Sequence, residues 1–181
     1  MLLESEKIDL GTPLVNFKLP GIDGQTYTPE SFRNYEALVV VVSCNHCPYA
    51  VASWPILIAL QKQFQDKGVR FVAINPNDGV RYPDDAFEKM APYAETIGLN
   101  FPYLRDETQQ VARDLRAQCT PDIYVYNNRR KLYYHGRIND NWQHPEKVTQ
   151  ENLKDAISRL VNNEPAPERQ YPSMGCSIKW K

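Results

Sequence analysis

No apolar run in this 181-residue sequence approaches membrane-spanning length. Neither sign of charge is in excess: 21 Lys and Arg against 22 Asp and Glu give a formal net charge of −1. That balance removes the electrostatic case for nucleic acid or an anionic membrane as partner. The opening Met1–Lys7 has no basic stretch followed by an apolar core, so no signal peptide and a cytoplasmic location are expected. There is no internal repeat and no low-complexity segment. Cysteine is scarce. Cys44 and Cys47 lie close together while Cys119 and Cys176 stand far apart, which is not the spacing of a secreted disulfide framework. In a reducing compartment such a close pair is more often catalytic or metal-binding than structural.

With 42% hydrophobic and 24% charged residues, the chain suits one soluble domain of ordinary size that folds without disulfide staples. Its centre is Val39-Val40-Val41-Val42-Ser43-Cys44-Asn45-His46-Cys47-Pro48. The apolar run 37–42, ending in four valines, has no polar alternation and predicts a strand covered on both faces. It stops at a Cys-x-x-Cys pair, and a helix follows to about Lys67, with Pro55 expected to kink or divide it. A helix N-terminus beneath two thiols favours a thiolate, the form that attacks disulfides and peroxides.

Elsewhere, residues 13–20 alternate like a half-buried strand, and 25–28 return as a hairpin partner. A strand follows at 69–75, then a helix capped by Asp84, a short strand at 101–104 and a helix over about 107–117. Residues 123–126 and 132–135 form a hairpin, Leu153 to Val161 a helix, and the rest a tail. Three segments result: an N-terminal hairpin extension at 1–36, a central domain at 37–163 and a C-terminal tail at 164–181.

This order predicts an α/β thioredoxin fold, a mixed sheet flanked by helices, with an N-terminal β-hairpin extension and a helical insert. The sequence resembles the alkyl-hydroperoxide-reductase/thiol-specific-antioxidant branch of the thioredoxin superfamily, and more narrowly its peroxiredoxin-like members. The resemblance covers about residues 10–160. It rests on Cys44-Asn45-His46-Cys47-Pro48-Tyr49, Thr120-Pro121-Asp122, Gly136 to Asn141, and the ending Gly175-Cys176-Ser177-Ile178-Lys179-Trp180.

The resemblance implies an oxidoreductase. Cys44 would attack a disulfide and Cys47 resolve it, with His46 and the helix terminus holding the Cys44 thiolate. It also implies that the Thr120–Pro121 bond is cis and faces the pair, so that the Thr120 backbone positions substrate. The substrate would be a disulfide-bearing protein or a small thiol or peroxide, with a thiol as electron donor and no cofactor.

Peroxiredoxins place Pro and Thr seven and three residues before the peroxidatic cysteine. With Cys47 in that part, those places hold Val40 and Cys44, and no arginine precedes the 123–126 strand. Thioredoxins carry a buried Asp and a Trp where this chain has Leu38 and Ser43. These departures weigh against fast peroxide reduction and against a thioredoxin-type proton carrier.

Other readings stay open. Cys119 is a third redox thiol or a small buried residue. Cys176 is a resolving thiol, an intersubunit partner or free. A metal site would use Cys44, His46 and Cys47 with a fourth ligand from Cys119, His135, His144 or Cys176, although one helix turn supplies too few donors for a closed zinc cage. Arg137, Asn139, Asp140 and Asn141 read mainly as turn formers. The tyrosines at 124/126 and 133/134 read as strand packing.

Overall fold

The computed structural model describes residues 1–181. In chain order the strands and longer helices are β1 (Leu2–Glu4), β2 (Leu19–Pro20), β3 (Thr26–Tyr27), β4 (Ala37–Val42), α1 (Pro48–Phe64), β5 (Val69–Asn75), α2 (Phe87–Thr96), β6 (Tyr103–Arg105), α3 (Gln110–Asp114), β7 (Cys119–Thr120), β8 (Asp122–Asn127), β9 (Leu132–His135), α4 (Asn152–Val161) and β10 (Met174–Ser177). The main sheet has the order β6-β5-β4-β8-β9. β4 pairs parallel with β5 and antiparallel with β8, so the apolar run is central, as its lack of alternation predicts.

Alternate residues of β4 feed two cores. Val39 and Val41 join Trp54 and Leu57 of α1, Met90 of α2 and Ile157 of α4. Leu38, Val40 and Val42 join Phe17, Phe32, Val111 and Ile178 on the other face. All six β4 residues are fully buried. Each buried valine contributes about 1.5 kcal/mol or more, so this strand is a firm platform for the cysteines at its end.

α1 runs through Pro55 without dividing. Pro55 and Val51, whose carbonyl loses its partner, both lie on the exposed side, where water can satisfy the oxygen. The 13–20 segment is extended, but only Leu19–Pro20 pairs as a strand. The start of the stretch hydrogen-bonds to the 130–132 turn instead, through Leu14 N–H to the Arg130 carbonyl. The helix expected over 107–117 is confined to 110–114.

Two differences bear on the site. Asp84 does not cap α2. Residues 83–85 form a 3-10 turn, Ala86 is the N-cap, and Asp85 turns into the interior with no exposed surface. The C-terminal segment is also more than a tail. β10 lies between β1 and β7 in a three-stranded antiparallel sheet, with Cys176 paired to Thr120. Beyond it, the Asp78 N–H donates to the Lys179 carbonyl, and the Lys179 N–H donates to Asn77 Oδ1. The chain end thereby ties down the loop that carries Asp85.

Candidate redox site

Cys44 follows β4, and Cys47 is the N-cap of α1, with Pro48 as the first helical residue. Both sulfurs are buried, at 0% and 1% exposure. The Thr120–Pro121 peptide is cis, as expected, and Thr120 faces both of them. Its hydroxyl is 3.3 Å from Cys44 Sγ, and its carbonyl oxygen is 3.3 Å from Cys47 Sγ.

The two thiols sit in opposite settings. Cys47 is pulled far below the usual thiol range, first by the hydrogen bond from Cys44 and then by donors from Cys176 and the Ala50 amide, against the cost of burial. Cys44 is pushed well above that range by the bond it donates to Cys47, by burial and by the charge of Asp85. The Thr120 carbonyl is a contact that only a protonated Cys47 can use, so it opposes the thiolate. The helix begins at Pro48, so its N-terminal end lies at Cys47, its N-cap, rather than at Cys44.

The Cys44 side carries a different apparatus. Cys44, His46 and Asp85 bring one ligand-type atom each to within 4.8 Å of one another. His46 Nδ1 lies 2.6 Å from Asp85 Oδ2, but without the alignment of a hydrogen bond. The imidazole stacks on Tyr82, with centroids 5.7 Å apart. Asp85 is held by the Asn45 N–H at 2.7 Å, Asn77 Nδ2 at 2.7 Å and Asn75 Nδ2 at 3.3 Å. Asn45, between the cysteines, is itself bonded to Tyr103 Oη and the Asp84 carbonyl. Asp85 is supplied by the loop after β5 and sits beside Cys44 and His46 at the end of the strands. Sequence reading missed it because Asp84 absorbed the capping role. The adjacent second aspartate after Pro83 was the available signal.

Cys44, His46 and Asp85 are also the residues able to hold a metal ion. The other ligands considered do not join them. His135 is buried against Asp122 at 2.9 Å, His144 pairs with Glu146, and Cys119 Sγ points to the Pro121 carbonyl. Three amide donors already occupy the Asp85 oxygens, which favours a fixed anion over a cation cage. Cys119 is fully buried, and burial pushes its thiol far up, as suits an inert packing residue. Cys176 packs against Cys44, Cys47 and Ala50.

Beside the first turn of α1 is a cavity of about 260 Å³, bounded by Tyr49, Pro121, Ile123, Trp142 and Met174. Arg137 borders it but is held by Asn152 and Gln150, while Asp140 is tied to Thr149, so these residues mainly build the turn. The tyrosines at 124, 126 and 134 are core residues.

Fold and site define a thioredoxin-fold protein with paired thiols at the start of its first long helix. The chain belongs to the AhpC/TSA family, whose model matches residues 10–135. It is similar to an uncharacterized conserved protein from Geobacillus kaustophilus, with 40% identity, 100% of this chain and 97% of that one covered, and a TM-score of 0.95. A hypothetical protein from Sinorhizobium meliloti matches at 34% identity over 98% of each chain, with a TM-score of 0.94. The thioredoxin domain of a thiol-disulfide oxidoreductase from Bacteroides vulgatus shares the fold at 13% identity over 86% of this chain and 100% of that one, with a TM-score of 0.68. No curated protein matches by sequence. Family and fold support a thiol-disulfide oxidoreductase or peroxiredoxin-like role. No helix is long and apolar enough to cross a membrane.

Proposed function

We propose that the protein is a thiol-disulfide oxidoreductase whose redox couple is Cys44 and Cys47, acting on a disulfide-bearing protein or small disulfide, with a thiol as electron donor. The observation that carries this reading is geometric: both thiols meet at the start of α1 against Thr120 of the cis loop, 3.3 Å from each sulfur, with His46 and Asp85 beside Cys44, and the downward pull on the Cys47 thiol supports it as the attacking sulfur. The Cys47 thiolate attacks one sulfur of the substrate disulfide and expels the other as a thiolate. Cys44 then gives its proton to the His46 imidazole and attacks Cys47 Sγ, releasing the second substrate thiolate. Two electrons pass to the substrate, and a Cys44–Cys47 disulfide is left behind. Thr120 and the cavity beside Pro121 offer the substrate a backbone acceptor and an apolar wall.

Peroxide reduction is less favoured. The buried Arg105 is committed to Glu107 and to the Asp85 carbonyl, leaving it unavailable to polarise a peroxide. The test is reduction of protein disulfides in insulin by the pre-reduced protein. Wild type is expected to turn over, and Cys47→Ser is expected to be inactive. Unchanged turnover in both Cys47→Ser and Cys44→Ser would sink the proposal.

A further inference from the structure

We propose that Cys176 is a third redox thiol: it displaces Cys44 as the disulfide partner of Cys47, and it is the sulfur at which an external thiol reduces the protein. The inference rests on reading Cys44 and Cys47 as a couple, and it answers a problem that reading leaves. Both couple sulfurs are more buried than Cys176, so an external thiol reaches the sulfur of Cys176 more readily than either sulfur of a Cys44–Cys47 disulfide. Cys119 is buried as well, and Cys176 is the one partly exposed cysteine.

Its placement is built in. The β10 register sets Cys176 opposite Thr120, the residue whose carbonyl touches Cys47 Sγ. Cys176 packs on the Cys44–Cys47–Ala50 cluster. The close approach requires glycine next door, since a Cβ on Gly175 would lie 2.1 Å from the Thr120 carbonyl oxygen. β1 and β7 hold the strand from either side, so the thiol is presented on a fixed platform.

The chemistry balances in three steps. Cys176 attacks Cys47 Sγ of the Cys44–Cys47 disulfide as its proton passes to the departing Cys44, giving Cys47–Cys176 with no net electron transfer. An external thiolate then attacks the accessible Cys176 sulfur and expels Cys47 as the thiolate its donors stabilise, a good leaving group. A second external thiolate attacks the external sulfur of that mixed disulfide, forming the external disulfide and returning Cys176. Two thiols have then supplied two electrons.

The test treats oxidised wild type with limiting reduced glutathione, quenches with iodoacetamide and maps the cysteines by mass spectrometry. Glutathione is expected on Cys176, with Cys47 alkylated. Glutathione on Cys44 or Cys47 overturns the proposal. Cys44→Ser exposed to oxidised glutathione is expected to yield a Cys47–Cys176 disulfide, and a stable glutathione adduct on Cys47 overturns it. Cys176→Ser is expected to form Cys44–Cys47 normally but to be reduced by glutathione at least about tenfold more slowly, since the accessible sulfur is gone. An unchanged rate overturns it. A wild type that never forms Cys44–Cys47 refutes the couple itself, and the Cys44→Ser result, which does not use that bond, separates the two failures.

Discussion

The two sides of the Cys-x-x-Cys turn are built from different parts of the chain and do opposite things. The Cys44 side faces Asp85 across His46, and its thiol is pushed up. The Cys47 side faces the helix terminus and β10, and its thiol is pulled down. Neighbours in sequence thus acquire different chemistry from elements distant in sequence. Local spacing brings the thiols together, and tertiary packing gives each its own surroundings.

The comparison breaks most severely at the thiolate. Cys47→Ser is expected to lower disulfide reduction by about a thousandfold or more, because the nucleophile is gone, while Cys44→Ser keeps the first attack and accumulates a mixed disulfide with substrate. Turnover assays with mass analysis of the trapped species separate the two. The Cys44 side is tested by Asp85→Asn, which keeps size but removes charge. Turnover is expected to fall by about tenfold to a hundredfold, as for other carboxylates that orient a histidine, with the Cys47 attack rate in single turnover unchanged. Equal losses in both steps would show that Asp85 serves both sulfurs.

The Cys47 side is tested by Gly175→Ala. The added methyl meets the Thr120 backbone, so the reduced protein should lose about 1–3 kcal/mol of stability, read as a lower Tm. The smallest effect sharpens the contrast. Cys119→Ala removes a thiol that neither side uses, and turnover should stay within about twofold of wild type.

Much of this was legible in the sequence. The unbroken apolar run gave the central strand, the residues after it gave a helix, and Thr120-Pro121 before a strand gave the cis loop that faces the thiols. Asp85 was not legible, because its partners Asn45 and His46 are some forty positions away and Asp84 had a sufficient local explanation. β10 was not legible either. Met174-Gly175-Cys176-Ser177 lacks β-branched residues, and its pairing partners are strands of two and three residues. Which of the two cysteines caps the helix was not legible for a related reason. Where a helix begins within a turn depends on its capping geometry, which composition near Pro48 does not set.

The pH dependence of alkylation in the reduced wild-type protein tests the assignment of the nucleophile most directly. The depressed Cys47 thiol, held down to about 4, is the deprotonated and reactive form above that pH, and its reactivity is lost as the pH falls through about 4. Iodoacetamide labelling followed by peptide mapping should therefore mark Cys47 first in mildly acidic solution, with a rate that levels off above its midpoint. Replacing its donor by Cys44→Ala should move that midpoint up. Preferential labelling of Cys44, or a Cys47 rate that rises only near the ordinary thiol range, would contradict the account.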